Sequence, residues 1–254
     1  MPTSRPLNDA HALLVAAAKR LSKQVDKLTF DAPTSHVYNP LSYAWKSHHA
    51  YLLRSQPDTT RVLFLGMNPG PWGMAQTGVP FGQVAAVRDW LKIDEPIQRP
   101  KREHPKRPIE GLLCKRSEVS GERLWNLFRS RFEKPEKFFR EHFVTNYCPL
   151  VFMEESARNR TPDKLPAAEA NSLQTACDEH LRSVIECLNP KYLVGVGAYA
   201  EQCLRRVCDG SLPSLAKDVS VLRILHPSPA SPAANKNWAE IATSQLIQSG
   251  VWRP

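Results

Sequence analysis

Long apolar runs, paired cysteines and acidic residues are all scarce in this chain of 254 residues. No stretch of about 18 apolar residues occurs, so no segment reads as a membrane-spanning helix. Residues 1–10 lack the apolar core of a secretory signal. Both absences predict a protein that stays inside the cell and does not touch a membrane. The six cysteines, at 114, 148, 177, 187, 203 and 208, contain no C-x-x-C pair. Zinc and iron–sulfur sites use tighter ligand pairs, so no metal is implied, and the thiols read as reduced side chains in or near a core. Asp and Glu number 25 against 34 Lys and Arg, a net charge of +9. Such a field attracts polyanions, nucleic acid first among them.

What is present suits one α/β domain over residues 1–254, and no internal repeat or composition break divides it. Residues 99–107 (RPKREHPKR) hold five cations in nine residues. Nearby prolines forbid a regular helix there, so this is an exposed basic loop. Leu13, Leu14, Ala17, Leu21 and Val25 recur at helical spacing and predict an amphipathic helix over residues 8–26. Residues 31–48 read as loop. Four short apolar runs read as buried parallel strands: residues 61–67, 143–146, 192–196 and 219–225. Helical stretches are expected at 82–92, 121–131, 135–140, 164–188 and 198–207, with a last helix at 235–249. The alternation implies a parallel sheet covered on both faces. Ligands of such sheets bind beyond the carboxyl ends of the strands, and Asn68, Asn146 and His226 stand at three of those ends.

Residues 66–82 (GMNPGPWGMAQTGVPFG) carry five glycines and three prolines in seventeen positions. Glycine lets backbone approach a ligand and proline fixes the loop. The segment holds no acid, base or nucleophile, and no Gly-Lys-Ser/Thr follows to make a phosphate loop. It suits a flat, neutral heterocycle. Residues 226–232 (HPSPASP) place one imidazole on a proline-stiffened loop, and Lys236 follows where a helix N-terminus could meet phosphate. A carboxamide such as that of Asn146 offers one acceptor and two donors. It matches the N3–H and O4 edge of uracil and mismatches cytosine, a difference worth as much as ~10⁴-fold.

These two segments, together with VYNPLSYAW, CKRSEVSGERLW, NYCPLVF and RNRTPDKLP in that family's order, resemble the single-strand-selective monofunctional uracil-DNA glycosylases. The likeness runs from about Val37 to near the end, and residues 1–30 lie outside it. It implies a three-layer α/β/α sandwich around a four-stranded parallel sheet. It implies removal of uracil, and of 5-substituted uracils such as 5-hydroxymethyluracil, from single- and double-stranded DNA, leaving an abasic site without a cofactor. By resemblance, Asn68 positions the attacking water and His226 donates to uracil O2. Asn146 reads the uracil edge, Phe81 stacks on the base, Gly70 lies near C5 and Met67 belongs to the pocket wall. Contacts to DNA are expected from Ala230, Ser231, Lys236, Lys101 and Arg102. Where family members commonly carry Arg after the HPSP stretch, this chain has Ala230, which predicts weaker activity on duplex than on single strands. A monomer is expected, in the cytoplasm or nucleoid of a bacterium or the nucleus of a eukaryote.

Two rival readings compete. Residues 195–200 (GVGAYA) fit the G-x-G-x-x-A pattern of dinucleotide sites, but on the third strand rather than the first; close helix–strand packing explains them equally. A non-catalytic nucleic-acid binder would need the charge but not the meeting of Asn68, Asn146 and His226.

Overall fold

In a computed structural model of the chain, which describes residues 9–209 and 219–254, helix α1 (Asp9–Val25) comes first. Residue 8, where the spacing put its start, lies outside the described residues, as do residues 1–7 of the stretch read as lacking a secretory signal. Leu14, Ala17, Ala18, Leu21 and Val25 are buried, so the helix that no resemblance supports is part of the core. Residues 31–48 are not loop. They form strand β1 (Thr34–Tyr38) and helices α2 (Pro40–Tyr43) and α3 (Trp45–Leu52). Asn39 caps α2 through its side chain, and Pro40 occupies the first helical position. The elements are too short to leave a periodic signal and are held by tertiary pairing.

Strand β2 (Val62–Gly66) is buried throughout and leads through helix α4 (Met74–Thr77) to a π-helical turn, Ala86–Trp90, in place of the longer helix expected at 82–92. Helices α5 (Val119–Phe132) and α6 (Pro135–Phe139) precede strand β3 (His142–Asn146). Strands β4 (Val151–Glu154) and β5 (Asn159–Arg160), which the sequence did not reveal, join β1 in a small antiparallel sheet of order β1-β4-β5. Helix α7 (Ala167–Leu188), strand β6 (Tyr192–Val196), helix α8 (Ala198–Asp209), strand β7 (Ser220–Ile224) and helix α9 (Pro232–Gln248) complete the chain. Helix α9 starts three residues before the expected position because Ser231 caps it and Pro232 takes the first turn; Asn237 breaks its helical dihedrals.

The main sheet has four parallel strands in the order β3-β2-β6-β7. Phe64 on one face packs against Phe128 of α5. On the other face a side chain at Gly195 would strike the backbone of Glu201 in α8. The GVGAYA segment is therefore a packing contact. The chain leaves β2 first toward β3 and later returns to β2's other side with β6. The strand order thus reverses between β2 and β6, where a crevice opens beyond the strand ends. No described helix is long and apolar enough to cross a membrane. The cysteines are free, and Cys114, Cys148, Cys177 and Cys203 are buried.

Candidate functional site

A cleft of about 400 Å³ lies at that reversal. It is lined by Met67, Asn68, Gly70 and Phe81 from the segment after β2, and by His226 after β7. Five expected site residues from two distant segments therefore share one cavity. Glu118, Ser120, Asn159, Thr161 and Tyr199 line it too and were not singled out in the sequence. Four of these five fall within two of the family-like segments, CKRSEVSGERLW and RNRTPDKLP, but no local signal marks them.

Asn68 is half-buried, and its Nδ2 donates to the Leu150 carbonyl at 3.1 Å and more weakly to that of Pro69 at 3.4 Å. Two carbonyls on one side fix which amide atom is nitrogen. Oδ1 is left as an acceptor, the polarity needed to orient a water through one of its hydrogens.

His226 follows β7 by two residues. Gly197, at the end of β6 with φ of +92°, lies directly beneath it: a Cβ on Gly197 would meet the His226 Cβ at 3.0 Å. Only glycine suits both the dihedral and the contact. Burial lowers the His226 pKa, so the imidazole is neutral at physiological pH and can present an N–H without carrying charge.

Asn146, the last residue of β3, is buried, and contrary to expectation it does not share the cleft of Asn68 and His226 but lines a much smaller hollow with His48, Met74 and His180. Its Oδ1 meets the ring edge of Phe81 across Gly66, where a Cβ would collide with both. Its Nδ2 faces the Met74 sulfur at 3.3 Å, a weak acceptor. Among the described residues Oδ1 has no hydrogen-bond partner. A buried acceptor left unpaired costs about 1–3 kcal/mol, which marks it as a group waiting for a donor. The next residue anchors the strand end: the Tyr147 hydroxyl donates to Asp178 at 2.7 Å, and Arg206 binds the same carboxylate at 2.8 and 3.1 Å. Phe81 itself has φ of +55°, a conformation a bulky residue keeps only where its surroundings impose it.

Glu118 supplies the carboxyl that the glycine- and proline-rich segment lacks. It presses against the Cα atoms of Gly70 and Gly73, and its Oε2 is buried with no well-formed hydrogen bond among the described residues, although the Trp72 and Gly73 backbone N–H groups lie close to the carboxyl. Burial pushes its pKa up to about 7, against the pull of the Trp72 and Gly73 backbone N–H groups.

The expected DNA contacts lie on the surface, Lys101 and Arg102 beside a separate hollow that they share with Phe30, Val37 and Leu150 rather than at the cleft itself. Lys101, Arg102, Ala230 and Lys236 are exposed, and Ser231 is partly buried as the cap of α9. The basic loop is anchored as well as charged. The Tyr38 hydroxyl accepts from the His104 N–H at 2.6 Å and donates to the Arg107 carbonyl at 2.9 Å. Arg107 and Arg116 lie 5.2 and 4.5 Å from the Trp72 ring centre, tying the loop to the rim of the cleft.

The Uracil DNA glycosylase superfamily profile matches residues 54–246. The chain is 48% identical over 232 residues to the single-strand selective monofunctional uracil DNA glycosylase of Bos taurus, covering 91% of this chain and 84% of that one. It is 47% identical to the Mus musculus protein of the same name, with coverage of 91% and 82%. Among solved structures, wild-type Pedobacter heparinus SMUG2 superposes with a TM-score of 0.64 at 16% identity, over 92% of this chain and 97% of that one; this likeness concerns the fold alone.

Proposed function

The chain belongs to the uracil DNA glycosylase superfamily, and from that premise we propose that it hydrolyses the N-glycosidic bond of uracil in DNA and leaves an intact abasic site. The observation that carries the reading is the meeting of a neutral imidazole and an amide acceptor in one cleft, with an unpaired buried carboxamide oxygen behind it, across Gly66 from the Phe81 ring. Breaking the bond leaves positive charge on the deoxyribose and negative charge on the base. The N–H of His226 faces O2 of the departing uracil and stabilises the anion, so the base needs no proton before it leaves. Asn146 accepts the N3–H through Oδ1 and donates to O4 through Nδ2. Phe81 stacks on the ring, and Met67 and Gly70 close its sides. Asn68 holds a water by its hydrogen and aims the oxygen at C1′. An amide is a weak base, but an oxocarbenium-like sugar needs little nucleophilic push. The water oxygen bonds C1′, the C1′–N1 electron pair leaves with the base, and the water proton passes to solvent.

The base must leave the stack to enter the cleft, at a cost of a few kcal/mol in duplex. Ala230 offers only a methyl group to fill the gap, which favours single strands as substrate. Gly70, which lies against the Glu118 carboxyl, carries no side chain of its own to block the substituent of 5-substituted uracils such as 5-hydroxymethyluracil. Lys101, Arg102, Ser231 and Lys236 meet phosphates, so binding weakens steeply with salt. A DNA substrate and six free thiols fit an intracellular place of work. The test is release of free base from labelled oligonucleotides carrying uracil or 5-hydroxymethyluracil, single-stranded and duplex. Free uracil with a strand that breaks only on alkali treatment supports the reading. Binding without base release would leave a nucleic-acid-binding module instead.

A further inference from the structure

The loop that carries His226 cannot hold itself together. Pro227, Pro229 and Pro232 have no N–H to donate. Within the loop, the Ser231 N–H reaches the Ser228 carbonyl at 3.1 Å and the Ala230 N–H reaches the Ser228 hydroxyl at 3.2 Å. The Pro227 carbonyl finds no donor within the loop; helix α5 supplies its donors, Arg123 and, weakly at 3.5 Å, the Ser120 hydroxyl. Arg123 Nη1 donates to the Pro227 carbonyl at 3.2 Å and weakly to that of Ser228 at 3.5 Å. Its Nη2 donates to Asn235 Oδ1 at 2.9 Å. Asn235 in turn donates to the Pro229 carbonyl at 2.7 Å. Among the described residues no carboxylate pairs with Arg123, so its guanidinium is committed to this loop. The same stretch of α5 grips the other catalytic segment. A side chain at Gly121 would strike the Phe81 carbonyl, and Glu118 is wedged against Gly70 and Gly73. Leu124, Trp125 and Phe128 root the helix in the core, which makes it a rigid reference for both loops.

We propose that Arg123 is a positioning residue for base release, setting the His226 loop at a fixed separation from the loop that carries Asn68. It touches neither base nor sugar; it acts through His226. The inference rests on the proposed glycosylase reaction, and its test separates the two. Arg123→Ala lowers kcat for uracil release from a single-stranded oligonucleotide by roughly 10- to 100-fold, the scale of a misplacement near 1 Å, with KM within a few-fold of the parent. Arg123→Lys, which keeps the charge but not the fork of donors, falls between. The deciding readout is a double-mutant cycle. In a His226→Ala background, where there is no imidazole left to place, Arg123→Ala changes kcat by less than about twofold. An equal loss in both backgrounds, a loss confined to KM, or an unchanged kcat overturns the proposal. Should Arg123→Ala fail to melt cooperatively, the same cycle with Arg123→Lys decides by the same outcomes. A parent protein that releases no uracil defeats the glycosylase reading and this inference with it, whereas an active parent with an additive cycle defeats this inference alone.

Discussion

The two ends of strand β3 carry buried polar side chains of opposite kinds. At the amino end, His142 is satisfied on both ring nitrogens. Trp252 Nε1–H donates to Nε2 at 3.0 Å, which leaves Nδ1–H to donate to the Phe138 carbonyl at 3.3 Å. Burial lowers its pKa to about 4, and Phe64, Phe132 and Phe138 surround it. At the carboxyl end, Asn146 keeps an acceptor with no partner and a donor spent on a thioether. The first arrangement is complete without a ligand and the second is not. The difference locates function better than residue type does, since both are uncharged polar groups on one short strand.

The comparison can be broken in several places, the heaviest first. His226→Ala removes the proposed donor to the leaving anion and lowers uracil release by roughly 10²–10³-fold, with melting temperature and DNA binding retained; steady-state kinetics and a binding titration check both halves. Asn146→Leu fills the same space without the orphan oxygen. Release of uracil falls by about 10²-fold or more, yet stability is unchanged or raised, because no acceptor is left unpaired. A matching loss of stability would make Asn146 structural. His142→Leu behaves in reverse. It strands the Trp252 N–H and costs about 1–3 kcal/mol in denaturant unfolding, with base release unchanged at 25 °C.

Acid sharpens the same contrast. His48 is buried, its Nδ1 at 2.8 Å from the Gly78 carbonyl, and its pKa, like that of His142, is lowered to about 4. The unfolded chain takes up protons at both from about pH 6.5 downward, while the folded chain waits until about 4. Stability is therefore lost as pH falls through that window, by about 1 kcal/mol per group per pH unit. Glu118, raised to about 7, works in the opposite sense as pH rises from about 4.5 to 7. Thermal melts between pH 7 and 4 show the fall, and Glu118→Gln steepens it. The smallest effect is expected at the exposed rim: Ala230→Arg raises turnover of duplex uracil a few-fold relative to single strands. No change there would detach this loop from the wedge role.

Much of this architecture was legible beforehand for a specific reason. Strands β2, β3 and β6 are buried on both faces, and the edge strand β7, expected buried, is so only at Ile224 because no strand covers its outer side; 61–67, 143–146, 192–196 and 219–225 still stand out as apolar runs and fell within a residue or two of β2, β3, β6 and β7. Strands β1, β4 and β5 are short and mixed in polarity, and the pairing of β1 with β4 spans more than a hundred residues; nothing local announces it. Asn68 and His226 could be found because strand ends and proline-rich loops point to them. Glu118 and Arg123 could not. Glu118 precedes α5 and Arg123 lies in its second turn, where charged residues look like any solvated face, and only tertiary contact turns one toward Gly70 and the other toward the Pro227 carbonyl. The orphan oxygen of Asn146 is likewise a property of its neighbours.

That oxygen offers the most direct trial. Two single-stranded oligonucleotides, one carrying uracil and one carrying 3-methyluracil, differ only in whether the base has an N3–H to give. If Asn146 Oδ1 receives that hydrogen, free uracil is released and 3-methyluracil at least ~100-fold more slowly. Equal rates for the two bases would contradict the account.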